Sequence, residues 1–244
     1  MLRKVESGYL GIDGCPGGWF CVGLDADAGW SVSVIATDLV GSVAATATAA
    51  FIDIPIGLPD RGAEERLCDR EARSKLGRGR GSSVFPVPAR ASLQARDFAE
   101  ALAINRQCTG RGISKQSWLI APKIRVVDDV LRTDRRLHGV LRESHPEICF
   151  WALNSAKPMR HNKKTPEGHQ ERMALLRQFF PAANTLFEEA TKRYRRKEVA
   201  GDDIVDALVL AISARLGAGR YRSLPADAQR DAAGLPMEMV FFAP

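Results

Sequence analysis

Nothing in these 244 residues builds a disulfide or zinc framework: the cysteines number five, an odd count, and no C-x-x-C pair occurs. A disulfide scaffold pairs its cysteines and a zinc knuckle needs closely spaced ligands, so both are excluded and the thiols read as reduced and mostly buried. No segment approaches the roughly 18 uninterrupted apolar residues of a membrane span. The opening MLRKVESG has no apolar run after its basic residues, so no secretory leader is expected. A cytoplasmic protein with no membrane partner follows as the expectation. Repeats at solenoid or propeller periods are absent, and no interdomain linker stands out. What is present is an ordinary globular composition, 45% apolar, with a formal net charge of +6 and a pI near 9.2. One continuous fold is expected, and the positive charge points modestly toward a polyanion such as nucleic acid.

The N-terminal stretch GYLGIDGCPGGW ends an apolar run on one carboxylate, Asp13, and follows it with Gly14, Gly17 and Gly18. Glycines there let the chain turn tightly and leave the acid at the sheet edge with no bulky neighbour. Gly8–Asp13, Trp19–Leu24 and Trp30–Ile35 read as three strands of an antiparallel meander. Leu39–Ala50 predicts a weak crossover helix. Ala49–Ile56 is nearly all apolar, as in a strand buried on both faces, with Asp53 at its centre and turn residues Pro55, Gly57 and Pro59 after it. A carboxylate inside such a strand is costly unless it is paired or metal-bound.

From Arg61 the composition turns to mixed charge, ending in LGRGRGSSVFPVPAR (Leu76–Arg90). Gly and Arg together predict a disorder-prone surface loop, with a mobile phosphate-gripping loop as the alternative. Leu93–Cys108 and Ser117–Leu137 predict helices, the second burying Ile124, Val127, Val130 and Leu131. Val140–Phe150 returns to strand character, interrupted by Pro146. The basic segment Lys157–Lys164 predicts a loop leading into a helix started by Thr165 and Pro166, with Met173, Leu175, Leu176 and Phe179 as its buried stripe. KRYRRK (Lys192–Lys197) reads as a solvated face or as a phosphate contact. Gly201 or Asp202 can cap a largely buried helix carrying Ile204, Val205, Leu208, Val209 and Ile212. Met237–Phe242 predicts a last strand.

Asp203 and Asp206 stand three apart, on one helix face. Capping and the helix dipole account for Asp202, and less well for Asp206, which sits among apolar residues. If that helix packs across the sheet, its acids meet Asp13 and Asp53. Converging carboxylates repel unless cations lie among them, and with no Cys/His cluster the cations would be hard divalent ions, Mg2+ or Mn2+. Two such ions about 4 Å apart can activate water and stabilise a leaving oxygen in phosphodiester hydrolysis.

The order of elements resembles the ribonuclease H-like fold: a mixed α/β sheet, antiparallel meander plus parallel strands, flanked by helices. DDIVDALVLAI (Asp202–Ile212) resembles the closing helix of RuvC-type Holliday-junction resolvases, with D-x-x-D-A-L at Asp203, Asp206, Ala207 and Leu208. GIDGCPGGW, FIDIPIGLP, CDREARSKLGRGRGSSVF, SKQSW, HPEICF and GDDIVDAL together resemble the DUF429 family, described as predicted nucleases of that fold. The resemblance covers most of the chain. It implies one domain over residues 1–244, with insertions around 60–138 and 152–198. It implies metal ligands at Asp13, Asp53, Asp203 and Asp206, with Glu143 or Glu147 as a further ligand and His145 assisting proton transfer. A backbone-bonded His145 is equally compatible with the sequence. In KIRVVD the chain has Val126 where the family is expected to carry an acid, leaving only Asp128 as a candidate there.

The leading expectation is a metal-dependent nuclease acting on DNA or RNA, with a homodimer left open. A non-catalytic nucleic-acid-binding protein on the same fold is the first alternative. The second is an actin- or sugar-kinase-like phosphotransferase, in which GIDGCPGG would bind phosphate.

Overall fold

The computed structural model describes residues 8–244; residues 1–7, on which the N-terminal expectation rests, lie outside the described residues. The fold opens with β1 (Tyr9–Cys15), β2 (Gly18–Leu24) and β3 (Trp30–Ile35), the expected antiparallel meander. Cys15 pairs with Gly18, so Pro16 and Gly17 form a two-residue turn, and Gly18 takes a φ of 134° that a side chain would strain. After a short helix α1 (Val40–Ala44), β4 (Ala49–Ile52) and later β5 (Leu141–Glu143) complete a five-stranded sheet in the order β3-β2-β1-β4-β5. β4 runs parallel to both β1 and β5, with Ile52 beside Ile12 on one side and Glu143 on the other.

Several elements differ from expectation. The crossover helix stops at Ala44, because Ala49 and Ala50 pair with β1. The strand predicted over 49–56 ends at Ile52, so Asp53 lies just past the strand, its N–H still donating to the Ile12 carbonyl at 2.9 Å. Pro55, with no N–H, cannot extend the ladder. The loop predicted over Leu76–Arg90 begins later than expected, because its first residues up to Arg80 close a helix, α2 (Leu67–Arg80). Its Cys68, Ala72 and Leu76 recur every four residues and are buried, a stripe masked by the surrounding Arg and Gly. Gly77 (φ 64°, ψ −171°) interrupts it near its end.

The two expected helices are α3 (Phe98–Thr109) and α4 (Lys115–Thr133), the latter burying Ile124, Val127 and Leu131. The strand predicted over 140–150 is only three residues long. Pro146 opens α5 (Pro146–Leu153) at a position where its missing N–H costs nothing. α6 (Pro166–Phe179) starts as predicted, Thr165 Oγ1 accepting from the Gly168 N–H. After α7 (Ala183–Arg193) comes α8 (Gly201–Leu216), buried without interruption from Ile204 to Ala214. A separate antiparallel pair, β6 (Arg222–Arg230) and β7 (Pro236–Phe241), ends the chain. β7 fulfils the expected last strand; β6, polar and containing a proline, gave no strand signal.

The sheet separates two apolar layers. On one face Val22 and Phe51 pack with α8, α5 and α6. On the other, Ile12 and Ile52 meet Ile124, Val127 and Leu131 of α4 and Val40 and Ala44 of α1. Four of the five free cysteines are buried. Among the described residues no helix is long and apolar enough to cross a membrane.

Candidate functional site

One glycine sets the geometry. A Cβ on Gly11 would lie 1.9 Å from the Ala207 carbonyl oxygen and 2.3 Å from the Ala211 nitrogen, so α8 rests directly on the β1 backbone. Side chains alternate along a strand, which puts Asp13 on the same face as Gly11, toward α8. Asp206, one residue before Ala207, is brought over the same end of β1. Asp53 follows β4 on the face of Phe51, again toward α8. The three acids therefore collect at the carboxyl ends of two parallel strands, where open α/β sheets hold their ligands.

Burial places Asp13 at 9% and Asp206 at 1% exposure, with Asp53 half-buried. Asp13 is thus not at an exposed sheet edge, because β1 is the central strand. Burial first, then the negative charges of Asp53 and Asp206, hold the Asp13 carboxyl well above its ordinary range. Asp53 is raised by burial while His145 and Lys163 pull it down and Glu147 pushes it up. Burial lifts Asp206 to about 6 against the pull of Lys163, with Asp53 and Glu147 adding to the rise. The cation responsible comes from the loop before α6: Lys163 Nζ bonds to Asp206 Oδ2 and lies 4.0 Å from Asp202. Burial pulls this lysine down, but Asp206, Asp13 and Asp53 outweigh it and keep it firmly protonated.

Asp203 is only loosely part of this group. Its Oδ2 accepts the Ala200 N–H at 2.9 Å, so the capping role expected of Asp202 falls to Asp203. Burial raises its pKa and that cap lowers it. Glu143 points elsewhere: it accepts from the Ile56 N–H and, through both oxygens, from Arg66, at 2.7 to 2.8 Å. This bidentate pair neutralises its charge and turns the carboxylate toward Arg66, which makes it a poor metal ligand. Glu147 pairs with Arg172 at 2.5 Å and acts electrostatically on Asp53 and Asp206. His145 caps α5, its Nδ1 accepting the Glu147 N–H at 3.2 Å, while Nε2 faces the Ser83 carbonyl at 3.4 Å. Asp128 is remote from the cluster and pairs with Arg90 at 3.1 Å.

Two buried oxygens, Asp206 Oδ1 and Glu147 Oε2, have no hydrogen-bond partner among the described residues. Buried acceptors are nearly always satisfied, so an orphan among acids leaves lone pairs that a cation could take. The donors are all carboxylate oxygens, which suits a hard divalent ion. Among the described residues, however, no three His, Cys, Asp or Glu side chains close into a ready cage, and Lys163 supplies the positive charge. Gly14 N–H, which a phosphate-binding turn would present to its ligand, bonds instead to Asp13 Oδ1 at 2.6 Å.

Sequence reading missed Lys163 and Gly11. The second had a signal, since an isolated glycine inside a strand two residues before an acid marks close backbone approach. Lys163 lay in a recognised basic loop, and nothing local tied it to Asp206.

Fold and site together define a mixed α/β protein with an acid cluster at the ends of its parallel strands. The profile of the family described as "Protein of unknown function (DUF429)" matches residues 11–230, and the chain belongs to that family. No curated protein and no solved structure matches it.

Proposed function

We propose that this chain is a divalent-metal-dependent nuclease on a ribonuclease H-like fold, with residues around 60–138 and 152–198 as insertions. The observation that carries this reading is the convergence of Asp13, Asp53 and Asp206 from three elements, with Asp206 Oδ1 unpartnered. Asp13, Asp53 and Asp206 would hold Mg2+ or Mn2+, with Asp203 at the margin. Bound there, such an ion would activate water and stabilise the leaving oxygen of a phosphodiester. Lys163 neutralises the cluster until the ion enters. Arg172 fixes Glu147 behind it, and His145, whose Nδ1 accepts the Glu147 N–H, would have to release Nε2 from the Ser83 carbonyl to take part in proton transfer. Beside the acids lies an open groove of about 830 Å3, with Lys123, Lys164 and Arg196 along it and Asp202 and Asp203 at its acidic end, and its lysines and arginine suit a polynucleotide backbone.

The test is purified protein with Mg2+ or Mn2+ against single-stranded, duplex and branched DNA and RNA. Cleavage is expected, with Asp13→Asn slowing it by about 100-fold or more, since even outer-shell changes at metal sites cost about 10- to 100-fold. No cleavage across the panel, with metal binding unchanged in Asp13→Asn, overturns the reading. The Lys163–Asp206 pair favours one other reading, a non-catalytic nucleic-acid-binding protein in which the lysine neutralises the acid permanently. That reading predicts salt-sensitive binding and no cleavage.

A further inference from the structure

A second cavity, of about 200 Å3, opens on the other side of the acids and is lined by Asp13 and Asp53 themselves. One part of its wall is half-buried Phe85, Val87 and Ile120 with fully buried Trp19 behind them, and the other is polar, formed by His145, Ser83 and the mutually paired Arg66, Asp69 and Glu143. At the rim stands Gln116, exposed, whose amide has no hydrogen-bond partner among the described residues. Gly14 and Lys123 line both this cavity and the basic groove, so the two spaces meet at the end of β1. Lys123 is held there by donating to the Cys15 carbonyl at 2.9 Å, with its ammonium 5.5 Å from the Trp19 ring centre.

We propose that this cavity receives one unpaired nucleobase of a strand whose phosphates follow the basic groove, and that the site acts on single-stranded nucleic acid. The proposal rests on the nuclease reading for its catalytic consequence, but base binding stands apart from it. Size is the first argument: an apolar cavity of about 150 Å3 holds a benzene-sized ring, so this one fits a single planar base and no paired one. Chemistry is the second. An apolar patch of Phe85, Val87 and Ile120 facing polar side chains, with the Gln116 amide free at the mouth, matches how a base is held out of its stack, by apolar contact on its face and hydrogen bonds at its edge. Position is the third, since a base seated here draws its own phosphate toward Asp13 and Asp53. A duplex offers its bases stacked and paired, and extracting one opposes binding.

The experiment has two arms. In the first, nucleoside 5′-monophosphates and ribose 5-phosphate are titrated without metal, with tryptophan fluorescence or calorimetry as the readout. The monophosphates should bind about tenfold or more tighter, within the range of one base-stacking contact. Ile120→Trp, which fills the cavity from its partly exposed wall, and Gln116→Ala should each erase the difference while leaving Mg2+ affinity intact. In the second arm, single-stranded oligonucleotides carry one abasic residue walked through the sequence, and cleavage is followed with Mg2+ or Mn2+. One position should slow the cut about tenfold, with its neighbours indifferent. Equal affinity for the monophosphates and ribose 5-phosphate, or abasic positions that are all cut alike, overturns the proposal. If nothing is cut but the monophosphates still bind tighter, the base pocket stands and the nuclease reading falls.

Discussion

Two groups of buried charge sit within this fold, and they are built on opposite principles. In one, every carboxylate meets a guanidinium. Arg66 bonds to both oxygens of Asp69 and of Glu143 and to the carbonyls of Ile56 and Gly57, and Arg90 joins Asp60, Asp128 and Asp231. In the other, Asp13, Asp53 and Asp206 share Lys163, and Asp206 Oδ1 has no hydrogen-bond partner among the described residues. The first group ties the segment after β4 to β5 and α2, and the second is a deficit of positive charge at a cavity mouth. Satisfied ion pairs hold structure together, while an uncompensated cluster points to something that binds.

Removing the central cation of the satisfied group should have the largest effect. Arg66→Ala leaves Glu143 and Asp69 buried without a counter-charge, and a loss of about 3–5 kcal/mol is expected in urea unfolding. Asp53→Asn, by contrast, should leave stability unchanged or raised, and an equal loss in both would erase the contrast between the groups. Next comes Gly11→Ala, whose Cβ meets the Ala207 carbonyl and must push α8 away. A cost of about 1–3 kcal/mol is expected, with metal affinity falling as Asp206 moves from Asp13.

Acidity gives the third test. Asp206 keeps its proton up to about 6 in the fold, while its ordinary value is 3.8. Below about pH 4 it is protonated in both states, and its contribution is full. As pH rises to about 6 the unfolded chain releases the proton first, so without metal this contribution is lost, by an amount on the order of 3 kcal/mol. Asp13 and Asp53, also raised, act in the same direction. Metal binding needs the deprotonated acids, so millimolar Mg2+ should raise the Tm by a few degrees at about pH 8 and hardly at all at about pH 5. A pH-independent gain would mean binding elsewhere. The smallest effect is expected of Lys163→Gln, which removes the competing cation and should tighten Mg2+ about tenfold in calorimetry, equivalent to about 1.4 kcal/mol.

Much of this was legible in the chain itself. The meander followed from alternating apolar residues and the glycine turn, α4 from its four-residue stripe, and α6 from Thr165 and Pro166. The family followed from motifs spread over most of the chain. Less legible were the ends of elements. Ala49–Ile56 read as one strand because its apolar run continues past Ile52, although pairing with β1 and β5 stops there. The loop read over Leu76–Arg90 lost only its first residues to α2, because the helix carrying Cys68, Ala72 and Leu76 runs on to Arg80 through glycines and arginines that signal no helix.

The site divides in the same way. Local sequence determined that Asp13 closes an apolar run, that Asp206 lies inside a buried helix, and that Asp53 precedes a turn, because strand and helix periodicity act over a few residues. Tertiary structure decided the rest. Register between β1 and β4 set Asp53 beside Asp13, contact at Gly11 fixed where α8 crosses, and Lys163 arrived from a distant loop. It also gave Glu143 to Arg66 and Asp203 to its own helix cap. Sequence spacing carries no information on these partners, since each pairing depends on which separate elements the hydrophobic layers bring face to face.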